Sequence, residues 1–319
     1  MNYRSGLPQL GDDVFLTDSG LETTLIFLDG IDLPEFAAFV LLDDADGAGT
    51  GTERLRQYFL RHMAIAEEAG AGFVAEAATW RANPDWAAKV GYDSAALADV
   101  NRRAIEMLAE MREGYESRTG RPFVISGCIG PRDDGYNPSA LMTPEEARDY
   151  HAEQIATFAA TDADMVSAFT MTHAGEAIGI ALAARDAGIP SVISFTVETD
   201  GSLPSGDSLG AAIIEVDEAT GGAPAYYMVN CAHPSHFADA LEAGSPWVGR
   251  VRGVRANASR RSHAELDEAE DLDPGDPDEL ASEYAGLRGR LPQLTVLGGC
   301  CGTDDRHVAA ISAACVPSR

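Results

Sequence analysis

The residues best suited to chemistry in this chain are sulfurs. Five cysteines occur in 319 residues. Two of them adjoin in Gly298-Gly299-Cys300-Cys301-Gly302-Thr303, a third follows in Val229-Asn230-Cys231, and Cys128 and Cys315 stand alone. An odd, uneven set does not form a disulfide framework, so metal binding or catalysis is the better default for clustered thiols. Neighbouring side chains on a regular strand point to opposite faces. Cys300 and Cys301 can therefore serve one site only where the backbone bends, which the flanking glycines permit. Three thiolates suit zinc, and with only three protein ligands the fourth position stays open for substrate. Two other accounts fit the same residues: Cys231 as a buried structural thiol, and a vicinal redox disulfide between Cys300 and Cys301.

The elements that must bring these thiols together are legible as eight short apolar runs, at 14–17, 72–77, 123–126, 165–169, 191–197, 226–229, 248–254 and 294–297. Near-continuous hydrophobicity marks strands buried on both faces. Between them lie helical patterns at 52–69, 93–118, 143 onward (Thr143 as N-cap, Pro144 first), 175–187, 209–216, 234–243, 277–287 and 304–315. The acidic stretch 265–278 reads as a solvated loop. Eightfold alternation of strand and helix predicts an α/β fold, a single-domain (β/α)8 TIM barrel over residues 1–319. Active sites of such barrels sit at the C-terminal strand ends. Here those ends carry Asp18, Thr79-Trp80, Cys128, Thr170, Asn230-Cys231 and Cys300-Cys301. Alternate strands share a layer, so the sixth and eighth bring Cys231 to the level of the cysteine pair. Cys128 and Cys315 read as buried packing thiols, and His173, His233 and His307 as polar caps near helix starts.

Composition narrows the function classes. The formal net charge of −28 argues against nucleic acid or an anionic membrane as partner. No run of 18 apolar residues suggests a membrane span. The polar first 13 residues lack the layout of a signal peptide, so the chain is expected to be cytoplasmic. A homo-oligomer is compatible with the sequence.

Gly-Gly-Cys-Cys-Gly-Thr at 298–303, Val229-Asn230-Cys231 and Asp18-Ser19-Gly20-Leu21 together resemble the signature elements of the homocysteine S-methyltransferase family, in the same order along essentially the whole chain. The resemblance implies a zinc-dependent barrel in which Cys231, Cys300 and Cys301 hold the metal and the acceptor thiol fills the fourth position. It also implies that Asp18 contacts the acceptor's amino group. Asn230 is expected to orient the neighbouring Cys231. The expected reaction is attack by a metal-bound thiolate such as that of homocysteine on a methyl group carried by a small cationic donor, of S-methylmethionine, S-adenosylmethionine or betaine type. Trp80 offers a ring face to such a cation, and Thr79 beside it is a further substrate-binding candidate.

The chain also departs from that pattern. Family members commonly carry a glutamate after the Ala-Phe of the fourth strand, where Thr170 stands here. A hydroxyl cannot pair with an ammonium as a carboxylate does. Glu22 stands where glycine is common and is a candidate to supply the missing charge, with Glu176 a second. Two alternatives follow: a family member with a different acceptor or methylated substrate, and a non-catalytic barrel that binds zinc or a ligand.

Overall fold

The computed structural model describes residues 2–43, 49–241, 244–269 and 271–317. Eight parallel strands close into a barrel in sequence order: β1 Phe15–Leu16, β2 Gly72–Glu76, β3 Phe123–Ile129, β4 Met165–Met171, β5 Ser191–Phe195, β6 Tyr226–Asn230, β7 Val251–Ala256 and β8 Val296–Gly299. Closure is made where β1 pairs with β8, Phe15 opposite Val296 and Leu16 opposite Leu297. The principal helices are α1 Thr50–Ala69, α2 Ser94–Thr119, α3 Pro144–Ala159, α4 Ala174–Ala187, α5 Leu209–Thr220, α6 Pro234–Phe237, α7 Pro277–Arg290 and α8 Asp305–Cys315. The start of α3 is fixed as its sequence suggested: Thr143 accepts from Glu146 N–H while the Glu146 carboxylate accepts from Thr143 N–H.

Apolar residues segregate into two cores. One fills the space between the sheet and its helices, with Phe59, Tyr115, Phe158 and Ile180 among its members. The other fills the barrel interior: Phe15, Val74, Val124, Cys128, Met165, Phe169, Val192, Tyr226, Met228 and Val296. One step nearer the C-terminal mouth, the same inward faces carry Glu76, Ser126, Ser167, Ser194, Asn230 and Arg255, all buried. Period-two alternation thus sets a polar layer on top of an apolar one.

Several expected boundaries shift. The run at 248–254 starts with a 3-10 turn, Pro246–Arg250, before β7 begins at Val251. The helix expected at 234–243 stops at Phe237, and its last two positions lie outside the described residues. Within the acidic stretch, Ser262 and Glu265 form a capping box that opens a short helix, His263–Asp267. A further short helix, Pro84–Lys89, follows β2. No helix among the described residues is long and apolar enough to cross a membrane.

Candidate active site

The two halves of the cysteine cluster reach each other through unusual backbone. At the end of β6, Cys231 has φ 53°, and in β4 Thr170 has φ 61°, both in the left-handed region that bulkier residues avoid. The ladder between β4 and β5 shifts register between Ala168 and Met171, which turns Thr170 toward the mouth. At the end of β8, glycine is required by crowding: a methyl group on Gly298 would collide with the Thr17 hydroxyl, and one on Gly299 with Thr303. The chain then turns so that Cys300 and Cys301 both face Cys231. Their Sγ atoms lie 2.7 Å and 3.9 Å from that of Cys231, and all three fall within 4.8 Å of one another.

Side chains around the sulfurs hold this arrangement. Asn230 accepts from Thr170 N–H at 2.9 Å and from the Ser194 hydroxyl at 2.6 Å, and its amide donates to Thr170 Oγ1 at 2.9 Å. Nδ2 of Asn230 also lies 3.9 Å from Cys300 Sγ. Tyr136, from the loop after β3, points its hydroxyl at Cys301 Sγ, 3.6 Å away, and stacks on His263 with ring centroids 4.1 Å apart. Hydrogen bonds from Cys231 and Cys301, with Arg255 nearby, pull the Cys300 thiol well below its ordinary pKa.

Beside the sulfurs is a small cleft of about 80 Å³, partly open to solvent, lined by the three cysteines and by Asp18, Glu22, Glu76, Trp80, Phe169, Thr170, Asn230 and Arg255. Arg255 stands 3.1 Å from Asp18 Oδ1 and donates to the carbonyls of Gly299 and Ser19 at 3.0 and 2.8 Å. Tyr58 donates to Asp18 Oδ2 at 3.1 Å. Burial pushes both Glu22 and Glu76 up to about 7. Outside this cleft a wider mouth of about 280 Å³ is lined by Phe36, Trp80, Trp86 and Tyr136 together with Arg81 and the carboxylates of Glu22, Glu35, Asp134 and Asp267.

The fold therefore gathers Asp18, Glu22, Trp80, Thr170, Asn230, Cys231, Cys300 and Cys301 in one cleft. Thr79 is not among them: it is fully buried and spends its hydroxyl on the Cys128 carbonyl at 2.7 Å. Glu176 also lies elsewhere, paired with His151 at 2.9 Å and accepting from Arg132 N–H. One face of Trp80 already meets a cation, the Arg81 guanidinium 4.3 Å from its ring centroid. Asp18 accepts from Tyr58 through Oδ2, while Oδ1 makes no hydrogen bond and is ion-paired with Arg255 at 3.1 Å. All five cysteines are free, and Cys231 Sγ lies nearer to that of Cys300 than to that of Cys301. Cys128 belongs to the barrel interior and borders the cleft from below, and Cys315 is buried at the end of α8. His307 closes the capping box of α8 with Asp304, and His233 caps α6. Glu76 and Arg255 are the functional candidates that sequence reasoning passed over. The available signal was a charged residue inside or at the edge of a strand run otherwise buried on both faces.

Sulfurs bound to one tetrahedral zinc at about 2.3 Å sit about 3.8 Å apart. The Cys231–Cys301 separation of 3.9 Å matches that spacing, and the Cys231–Cys300 pair needs to part by about 1 Å. The donor set is soft and includes no histidine or carboxylate among the described residues. The residues present therefore fit zinc.

Comparison with known proteins points the same way. The family model for homocysteine S-methyltransferase matches residues 52–315. Homocysteine S-methyltransferase 2 of Arabidopsis thaliana is 23% identical over 272 residues, covering 76% of this chain and 78% of that protein. Among solved structures, the oxidized form of the homocysteine methyltransferase MmuM from Escherichia coli superposes with a TM-score of 0.75 at 20% identity, covering 98% of this chain and 99% of that one. Its metallated form gives 0.71 at 19% identity, with coverages of 94% and 96%. These two likenesses establish the barrel fold, and the family match across most of the length establishes the rest: the chain is an S-methyltransferase belonging to the homocysteine S-methyltransferase family.

Proposed function

We propose that this enzyme methylates a small thiol, with homocysteine the first candidate, at a zinc ion held by Cys231, Cys300 and Cys301, and takes the methyl group from a small cationic donor. The observation that carries the reading is the convergence of three sulfurs within 4.8 Å at the barrel mouth, beside a cleft that is open to solvent. Zinc bound there would supply Lewis acidity that turns an incoming thiol into a thiolate, the nucleophilic form, near neutral pH.

The chain's own groups do the remaining work. Asn230 ties the end of β6 to β4 through Thr170 and to β5 through Ser194, which fixes the direction of the Cys231 thiol. Tyr136 does the same for Cys301, while Phe169 and Trp80 give the cleft apolar walls. The outer mouth combines aromatic faces with four carboxylates, of which Asp134 is paired with Arg81 and Glu35 with Lys89. That leaves Glu22 and Asp267 to favour a sulfonium or quaternary ammonium donor such as S-methylmethionine, S-adenosylmethionine or betaine. In the transfer, the acceptor sulfur attacks the methyl carbon and a new S–C bond forms. The bond from that carbon to the donor's cationic sulfur or nitrogen breaks, and its electron pair leaves with the donor, whose cationic centre becomes neutral.

A second reading keeps the centre and changes the acceptor. It is favoured by Thr170, which is neutral, buried and turned toward Cys231 and Asn230. Labelled methyl donors assayed against a panel of thiols decide between the two. A chelator is expected to abolish turnover and added zinc to restore it. Full activity of metal-free protein would sink both readings.

A further inference from the structure

We propose that Glu76 is the carboxylate that receives the ammonium group of the acceptor, so that selection of an amino-acid thiol is made at the end of β2. This rests on the reading of the cleft as the thiol-acceptor site.

Glu76 is the last residue of β2, is only 5% exposed, and lines the same cleft as Cys231, Cys300 and Cys301. One oxygen is anchored: Ser167 donates to Oε1 at 3.2 Å, and the Ser167 hydroxyl is itself 2.7 Å from that of Ser126. The other oxygen, Oε2, is buried and has no hydrogen-bond partner. A buried carboxylate oxygen left without a donor is costly, whereas a charge-assisted bond to it is among the stronger polar interactions. The side chain thus lines the cleft held by one oxygen, while the other is buried at the cleft wall without a donor.

The neighbouring charges leave this role to Glu76. Arg255 is itself a cation and cannot receive an ammonium, and its guanidinium is spent on Asp18 and on the carbonyls of Gly299 and Ser19. Asp18 Oδ1 also lacks a hydrogen bond, but unlike Glu76 it is in a direct ion pair, 3.1 Å from Arg255, and its Oδ2 accepts from Tyr58. Thr170 is neutral and its hydroxyl accepts from Asn230. Glu22 is half-buried and lines the outer mouth as well as the cleft, which places it on the donor's side. A buried anion prefers a cation to a neutral donor. A ligand that brings a thiol to the cysteines and an ammonium to Glu76 is an amino-acid thiol.

The test compares zinc-loaded wild type, Glu76→Gln and Glu76→Asp for binding of homocysteine and of its des-amino counterpart, γ-mercaptobutyrate, by calorimetry, with turnover and zinc content measured alongside. The wild type is expected to bind homocysteine about tenfold to hundredfold more tightly than the des-amino thiol. Glu76→Gln should erase that difference while leaving zinc content and γ-mercaptobutyrate affinity unchanged, and Glu76→Asp should restore part of it. Equal weakening of both thiols, or no change in either, overturns the proposal. So does a wild type that binds both thiols equally, a result available even if the Gln variant fails to fold. A wild type that turns over γ-mercaptobutyrate and homocysteine equally overturns the Glu76 assignment alone, whereas one that binds neither thiol overturns the acceptor reading with it.

Discussion

Inside the barrel the Arg255 guanidinium stands 3.1 Å from Asp18 Oδ1, joining the end of β7 to the end of β1 across β8. Both side chains are almost wholly buried, 8% and 3% exposed. Removing one member of such a pair strands a charge in the interior, while removing both is far milder. Arg255→Met is therefore expected to destabilise the protein by about 3–5 kcal/mol. The double variant Asp18→Asn/Arg255→Met should recover most of that loss, as read by urea unfolding of all four proteins. Additive losses in the double variant would show that the two residues are not coupled.

Asn230 makes a prediction about metal rather than stability. Its side chain holds Thr170 from both ends and comes within 3.9 Å of Cys300 Sγ, yet none of its atoms belongs to the sulfur cluster. Residues that orient metal ligands in this way typically change affinity about 10–100-fold when removed. Asn230→Ala should weaken zinc binding by that factor in competition with a chromogenic chelator. It should still bind one equivalent, whereas Cys231→Ala should not retain a tight site. Unchanged affinity in Asn230→Ala would reduce the amide to packing.

The eight-stranded plan was legible because strands buried on both faces leave apolar runs, and all eight runs hold a strand. The cysteine cluster was legible for a different reason: glycines beside adjacent cysteines announce a bend, and Gly298 and Gly299 sit where any side chain would collide. What the sequence hid was long-range pairing. Nothing local says that Asp18 meets Arg255, 237 positions away by numbering, or that Thr79 turns its hydroxyl to the Cys128 carbonyl. Positive φ at Cys231 and Thr170 was equally hidden, because the strain is held by Asn230 and by the β4 register shift. The 3-10 turn before β7 escaped notice because Val248 is buried like a strand residue.

Trp80 carries a prediction about the donor. Arg81 lies 4.3 Å from the centroid of its ring, and also 3.6 Å from that of Trp86, so a cationic donor must compete with a resident cation or take the other face of Trp80. Trp80→Ala should raise the KM for a cationic donor about threefold to thirtyfold with the thiol KM unchanged. Arg81→Gln, which frees that face and leaves Asp134 unpaired, should lower the donor KM. A rise in donor KM for Arg81→Gln would mean that Arg81 positions the aromatic wall instead of competing for it.

Glu76 gives a pH signature that needs no substrate. Burial pushes its carboxyl up from the usual 4.5 to about 7, against the opposing pull of Arg255 and the serine hydroxyls. The folded state therefore holds this proton more tightly than the unfolded chain does. Stability from the protonated form is fully present below about pH 4.5 and is lost as the pH rises through about 7. A shift of that size corresponds to roughly 3 kcal/mol across the window. Glu22, pushed in the same direction, contributes equally to wild type and to a Glu76 variant, and so cancels in the difference. Metal-free wild type should lose about 3 kcal/mol more than metal-free Glu76→Gln between pH 4.5 and 7.5, measured by urea unfolding at the two pH values. Parallel profiles for the two proteins would mean that Oε2 is not held away from charge-stabilising partners, and the free oxygen in the cleft would lose its meaning.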